Sequence, residues 1–354
     1  MTTFRLGRRV VGGDEPTYFI ADIAANHDGD LDRALHLIGV AAAAGADAAK
    51  FQNFRAETIV SDVGFRALGR VSHQAGWSKD VVEVYRDATV PEDWTSALHR
   101  ACDAAGIDYL TAPYDLDLIA GLDRHVCAWK VGSGDITWHD EIRRLAATGK
   151  PILLATGAST WEDVRGAMAV LQASTADIVL MQCNTNYTGD PDNFRHIALR
   201  VLDTYRSEYP TVVLGLSDHT PGHATVLGAV ALGARVVEKH LTDDRSRPGP
   251  DHPFSMLPGE WSDMVARTRE LEAALGDSEK RVMDNERETV VVQRRALRAA
   301  RDLPAGTRLA AADLRALRPC PADGVPPYEA PTLVGRRTRR AIPAGECVRP
   351  DDVT

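Results

Sequence analysis

Eight short apolar runs, each followed by a stretch of helical character, constrain this 354-residue chain more than any other feature. The runs cover residues 18–24, 46–51, 108–111, 128–131, 151–155, 177–181, 212–216 and 235–238. Helical stretches lie between them, at 31–44, 94–105, 161–172 and 222–232 among others. Three of these end at Gly45, Gly106 and Gly233, where a C-cap favours glycine. Runs that stay apolar instead of alternating predict parallel strands covered on both faces. Eight such units in series predict an α/β fold, a closed (β/α)8 TIM barrel over residues 1–276. A doubly wound sheet is the alternative, but the first strand-to-helix turn lacks the G-x-G-x-x-G phosphate loop of that fold. One connection, from Asn53 to Val90, contains no convincing βα unit, and residues 72–77 read as loop. Long rim loops of this kind are usually lids or substrate walls.

The composition changes after Gly276. Residues 278–288 are charged and read as a linker or a frayed helix, so 277–294 is expected to connect two domains. Beyond it an internal repeat aligns residues 302–314 with 341–353. Both copies carry Pro-Ala-Gly, an apolar residue three positions after the Gly, and an Asp followed by Leu or Val. The duplication predicts a compact module over 295–354, small enough to need a docking surface. From Arg295 onward there are eleven Arg, no Lys and seven acids, within a chain of net charge −9. An acidic barrel argues against nucleic acid as a partner. No apolar run approaches the ~20 residues of a membrane span. The basic N-terminus lacks an apolar segment behind it, and the five cysteines form no C-x-x-C pair, so a reducing, cytoplasmic setting is expected.

A barrel of this type presents its functional side chains where the strands end. Polar residues collect there: Asp22, Asn26 and His27 after the first run, Lys50 and Gln52 after the second, and Thr111 after the third. Lys130 and Ser133 follow the fourth, Thr156 the fifth, and Cys183, Asn184 and Tyr187 the sixth. Ser217, Asp218 and His219 follow the seventh, and Glu238 and His240 the eighth. His219 and His240 leave neighbouring strands on one rim, a geometry suited to a metal pair. Lys50 and Lys130, with Ser133, Ser217 and Thr156, read as a cradle for phosphate or carboxylate. Asp22 could orient a metal-bound water. His27 and His73 read as ordinary loop histidines. Two imidazoles with open positions suit Mn²⁺ or Mg²⁺ about as well as Zn²⁺ or Fe²⁺. The residues alone predict a metal-assisted reaction of a small anionic substrate.

Several motifs carry a resemblance to a known family. They are Ile-Ala-Asp-Ile-Ala-Ala-Asn-His from Ile20, Gly-Ala-Asp-Ala-Ala-Lys-Phe-Gln from Gly45, and Lys-Val-Gly-Ser-Gly-Asp from Lys130. Leu-Ala-Thr-Gly from Leu154, Ser-Asp-His-Thr from Ser217 and Arg-Pro-Gly-Pro-Asp-His from Arg247 complete the set. In this order they resemble the sialic acid synthase family over nearly the whole chain. The repeat-bearing tail is similar to that family's antifreeze-like (SAF) domain.

The resemblance implies condensation of phosphoenolpyruvate with an N-acylmannosamine-type aldehyde sugar to a nonulosonic acid, with release of phosphate. It implies a divalent metal, Mn²⁺ first with Mg²⁺ or Co²⁺ as alternatives, held by His219 and His240. Lys50, Lys130, Ser133 and Ser217 match phosphoenolpyruvate contacts, and Gln52, Tyr187 and Asp251 match sugar contacts. Thr111 and Asn184 join them as substrate-binding candidates, and Asp22 as a catalytic one. It further implies a swapped homodimer in which Arg318 reaches the partner's site. The chain departs from the family at Asp22, where Glu is usual, at Ala112, where a hydroxyl residue is common, and across residues 182–189. Two other readings stand beside this one: a synthase for a different aldehyde sugar, and a non-catalytic sugar-binding homologue.

Overall fold

Each of the eight apolar runs becomes a strand, and the hydrogen-bonded sheet returns to its own start. The computed structural model describes residues 2–69, 74, 77 and 79–354. The expected loop around Ser72 and His73 lies outside the described residues. The barrel strands are β3 (Tyr18–Asp22), β4 (Ala48–Asn53), β5 (Asp108–Pro113), β6 (Trp129–Val131), β7 (Ile152–Ala155), β8 (Ile178–Cys183), β9 (Val213–Asp218) and β10 (Val236–His240), numbered after an N-terminal hairpin, β1 (Thr3–Leu6) and β2 (Arg9–Gly12). All eight are parallel, and β10 pairs with both β9 and β3 to close the barrel.

The pleat sorts side chains into two cores. Tyr18, Ile20, Ala48, Leu110, Ala128, Leu153, Val179, Met181, Val213 and Val236 fill the barrel, while Phe19, Phe51, Trp129, Leu154, Leu180, Leu216 and Val237 face the helices. Helices Leu31–Ala43, Thr95–Ala105, Trp161–Gln172 and Ala224–Ala231 supply much of that outer layer. The hairpin is an element the sequence reading did not anticipate. Its Phe4, Leu6 and Val11 join the barrel interior and floor its N-terminal end. There the Tyr18 hydroxyl donates to Asp108 Oδ2 at 2.7 Å, and the Arg8 backbone N–H donates to the same oxygen at 3.0 Å.

Two stretches carry helices that the sequence reading left open. The 53–90 connection holds three short helices, Ala56–Ile59, Asp62–Leu68 and Val81–Asp87. Ser61 and Asp80 cap the second and third by accepting from the N–H groups of Gly64 and Glu83. The expected linker at 277–294 contains a helix, Arg287–Gln293, and the chain divides at Gly276 into units 1–276 and 277–354.

The second unit has its own core of Leu297, Leu303, Leu309, Ile342, Val348 and Val353, with β11 (Ala296–Ala299) antiparallel to β12 (Leu314–Leu317). The repeat is visible in its bonding. Leu303 bridges Ile342, and Arg301 pairs with Asp313 as Arg340 pairs with Asp352. No helix among the described residues is long and apolar enough to cross a membrane.

One polar pair crosses the outer layer. Lys239 and Asp218 are register neighbours on β10 and β9, both buried and ion-paired, and Thr220 and Thr225 also bond the carboxylate. Burial opposes ionisation of Asp218, but Lys239 outweighs it and lowers the carboxyl pKa. Asp218→Ala should therefore destabilise the chain by about 3–5 kcal/mol in urea titration, because it strands a buried ammonium. The double variant Asp218→Leu/Lys239→Met should lose much less. Equal losses in the two would show that the pairing is not what matters.

Candidate functional site

Strand parity decides which polar residues meet. On each barrel strand the residues that fill the interior alternate with those facing the helices. Asp22, Lys50, Gln52, Lys130, Cys183, Ser217, Glu238 and His240 all have inward parity and line one cavity of about 290 Å³ at the C-terminal ends of the strands. Ser133, Tyr187, His219 and Asp251 line it too.

Its deep end is a chain of buried charges. Lys50 Nζ lies 2.7 Å from Asp22 Oδ2 and 3.4 Å from Glu238 Oε2, and Lys130 Nζ lies 3.6 Å from Glu238 Oε1. All four side chains are at most 5 % exposed, so each charge depends on the others. Burial works against the Lys50 ammonium, yet Asp22 and Glu238 more than offset it and raise its pKa. Burial prevails at Lys130, whose pKa falls although Glu238 resists. Glu238 is held ionised, with burial opposed by Lys130 and Lys50 and with the Ser217 hydroxyl donating to it at 3.0 Å. Glu238 was expected at the rim as a strand-end residue but was assigned no role in the site. Its position two before His240, on the same face of β10, was the available signal.

The two histidines stand with ring centroids 5.5 Å apart. His219 Nδ1 lies 3.0 Å from the Asn184 carbonyl, which can only accept, so Nδ1 carries a proton and Nε2 is the nitrogen left to face a metal. A metal-ligating histidine typically has such a carbonyl behind it. His240 Nε2 lies 3.5 Å from Asp22 Oδ2, and its Nδ1 is buried without a hydrogen-bond partner among the described residues. Burial first, then His219 and Lys50, pushes the His240 pKa well down and keeps the ring neutral. These two rings fit a divalent cation completed by water and substrate oxygens. Among the described residues no cluster of three or more His, Cys, Asp or Glu is arranged to hold one. Tyr187 and Phe254 pack edge-on against the imidazoles, with Tyr187 4.6 Å from the His219 ring and Phe254 4.8 Å from the His240 ring.

Parity also removes some expected residues from the cavity. Thr111 faces the helices, where its hydroxyl donates to Asn53 Oδ1 at 2.6 Å and approaches the Phe51 carbonyl at 3.1 Å. Thr156 faces outward as well, between the Met181 carbonyl and the Tyr205 hydroxyl. Asn184 turns its amide to the His196 carbonyl and offers the site only its backbone oxygen. His27 is no loop histidine. It is fully buried against Trp94, and burial lowers its pKa to about 4. Arg318 belongs to the second unit, where it is exposed and donates Nε to the Gln293 carbonyl at 2.6 Å. Ser133 accepts from the Gly157 N–H at 2.9 Å, and a Cβ on Gly157 would collide with Thr185, so this approach requires glycine.

The loop after β10 is pinned across the rim. His252, fully buried, bonds Asp28 Oδ1 through Nε2 at 2.8 Å and Thr242 Oγ1 through Nδ1 at 2.7 Å. The neighbouring Asp251 accepts from the Ala25 N–H at 3.0 Å, and burial raises its carboxyl to about 6. Its folded pKa thus exceeds the unfolded value of about 3.9, so its contribution to stability declines as pH rises through roughly 4 to 6 and stays lost above. Asp251→Asn should flatten that part of the stability–pH curve in thermal melts. An unchanged slope would mean that Asp251 ionises as an ordinary surface carboxylate.

Residues 37–280 match the NeuB family and residues 294–354 match the SAF domain. The chain is 33% identical to the N,N'-diacetyllegionaminic acid synthase of Legionella pneumophila over 342 residues, covering 94% of each chain. It is 31% identical to the human N-acetylneuraminate-9-phosphate synthase, covering 93% of this chain and 90% of the human one. Among solved structures it is similar to the N-acetylneuraminic acid (sialic acid) synthetase of Leptospira borgpetersenii, crystallised with citrate. That likeness has a TM-score of 0.71 at 27% identity and covers 82% of this chain and 95% of the other.

Proposed function

Because the chain belongs to the NeuB family, we propose that it condenses phosphoenolpyruvate with an N-acylmannosamine-type aldehyde sugar, yielding a nonulosonic acid and inorganic phosphate. It is an enzyme of the synthase type, and we assign it to the transferases that form carbon–carbon bonds. The observation that carries this reading is the pair of buried lysines, Lys50 and Lys130, at the floor of a cavity that also holds His219 and His240.

The charge balance supports a metal. Asp22 and Glu238 already match Lys50 and Lys130 one for one, so a doubly or triply charged phosphoenolpyruvate would enter a site with no net positive charge. A divalent cation on His219 and His240, Mn²⁺ by preference, would balance it and supply Lewis-acid polarisation of the acceptor aldehyde. Lys130 and Lys50 hold the phosphate and carboxylate of phosphoenolpyruvate, with the Ser133 and Ser217 hydroxyls beside them. Carbon 3 bonds to the aldehyde carbon, and the aldehyde oxygen takes a proton. Water adds at carbon 2, and cleavage of the carbon–oxygen bond then releases phosphate. Asp22, whose Oδ2 lies 3.5 Å from the Gln52 amide, is positioned to orient that water. The preorganised charges act in a site largely closed to solvent, where they are most effective. The five unpaired cysteines suit a reducing compartment, and we assign the enzyme to the cytoplasm.

Phosphate release from phosphoenolpyruvate, measured across a panel of aldehyde sugars, tests the reading. Turnover should cease after chelation, return with Mn²⁺, and be abolished by His219→Ala. Full activity in chelated enzyme would overturn the metal assignment. No release with any sugar would overturn the synthase reading.

We further propose a homodimer in which Arg318 of one chain completes the acceptor site of the other. Exposed apolar side chains on the second unit support it: Val291, Val292, Leu317 and Tyr328. Arg318→Ala mixed with His219→Ala should regain activity once subunits exchange. No regain despite measured exchange would exclude a shared site.

A further inference from the structure

The loop that carries Asp251 has no core of its own ahead of that residue. After β10 the chain runs through residues 243–250, none of which is buried. Asp251 follows directly and lines the cavity, so its carboxylate stands at the end of an exposed span. It shares the cavity with an aromatic wall of Phe54, Tyr85 and Tyr114, in which Phe54 packs on both tyrosines. Asp251 Oδ2 accepts the Ala25 N–H, which leaves Oδ1 for a hydroxyl or amide donor of an acceptor sugar.

Two tethers hold the loop at this point. Behind Asp251, the Ser255 hydroxyl donates to the Asp251 carbonyl at 2.6 Å and accepts from the Asn26 side chain at 2.9 Å. Met256 then bridges Leu241, so this leg of the loop is stitched to the barrel without His252. The other tether is the buried His252 imidazole. Its Nε2 donates to Asp28, on the turn after β3, and its Nδ1 pairs with Thr242, two residues after His240. Asp28 also holds Arg33 and Arg247, at 3.0 and 2.6 Å, so the acceptor of the imidazole proton is itself fixed. The loop passes so close to the ring that a Cβ on Gly249 would lie 2.7 Å from His252 Cδ2. His252 itself does not line the cavity.

We infer that His252 is a positioning residue for the acceptor half of the reaction, fixing the Asp251 carboxylate at the rim without touching substrate. The inference rests on the synthase reading above. His252 is the first buried residue after the exposed span, so nothing ahead of it in the loop holds Asp251 in place. Cutting a bond that supports a functional group typically costs about 10–100-fold in the property that group provides. Phosphoenolpyruvate, held by Lys50 and Lys130 on β4 and β6, should not sense the change.

Steady-state kinetics of the full-length enzyme with Mn²⁺, phosphoenolpyruvate and N-acetylmannosamine, or a faster sugar of the same panel, test this role. His252→Ala should raise KM for the sugar by ~10-fold or more while KM for phosphoenolpyruvate stays within about twofold. Thr242→Val removes one of the two imidazole bonds at nearly constant volume and should shift the sugar KM the same way by less. In an Asp251→Ala background, His252→Ala should raise the sugar KM by less than about threefold, because the group it positions is gone. Additive rises, or a matching rise for phosphoenolpyruvate, would overturn the inference. Hydrogen exchange read by mass spectrometry decides it independently of turnover. In His252→Ala, peptides covering Ala25 should exchange at least ~10-fold faster, while those from β7 keep their rates. Should that variant not fold, Thr242→Val carries both measurements. Unchanged exchange at Ala25 would overturn the inference whatever the sugars do. Faster exchange there in an enzyme that turns over no sugar would uphold the placement of Asp251 by His252 and overturn only the synthase reading.

Discussion

The barrel mouth depends on the buried carboxylates that permit two lysines to stand inside it. An ammonium taken into an apolar barrel without a partner would shed its proton. Glu238 reaches both lysines and Asp22 reaches one, so the two are not equivalent. Lys50, between two carboxylates, is a fixed cation whose pKa is raised. Lys130 shares a single carboxylate and is driven the other way by burial. A bound anion would restore what Lys130 lacks. The two lysines and the two carboxylates thus match in charge, and the more weakly paired lysine gains most from a bound anion.

The same parallel register that closes the barrel sets this chain. Asp22 lies between Lys50 and His240 as a register neighbour of both, and Glu238 neighbours Ser217. A one-residue slip in β10 would carry Glu238 and His240 to the helix side and bring Lys239 inward. Lys239 is held outward by Asp218, so the pair buried among the helices guards the register that the site requires. At the other end of the barrel the hairpin and the Tyr18–Asp108–Arg8 contacts close the interior. Rigidity is supplied from below and chemistry is kept at the rim.

Much of this was legible in the sequence because parallel strands buried on both faces leave unbroken apolar runs. All eight runs correspond to barrel strands, with ends shifted by a residue or two. The two histidines and two lysines were legible for the same reason, being the polar residues that interrupt or follow those runs. What position along a run does not convey is the face of the strand. Thr111 and Thr156 have the right chemistry at the right height, but each lies one residue out of phase with the inward set and bonds into the helix layer. Glu238, expected at the rim, is in phase with His240 but its role between the two lysines was not foreseen. The hairpin was hidden by its shortness, since four-residue strands give a weak alternation. The aromatic wall could not be read at all, because Tyr85 reaches the cavity only through the path of a long connection.

Parity has no bearing on the tail, where the repeat does the sorting. Of its eleven arginines, Arg301 and Arg340 occupy equivalent positions in the two copies and clamp Asp313 and Asp352. Each of those aspartates also accepts a backbone N–H three residues before it, from Ala310 and Arg349. One local device, used twice, lets a small module hold its turns without a large core. Arg318 lies between the copies and outside the clamps. No ion pair among the described residues involves it, and only its Nε is bonded, to a carbonyl. A guanidinium bonded to one neutral acceptor keeps a planar face of donors for another partner. Lacking a carboxylate does not set it apart, since Arg295 and Arg308 likewise bond only carbonyl oxygens; the two clamps hold Arg301 and Arg340 inside the module and leave such exposed guanidinium groups with donors for other partners.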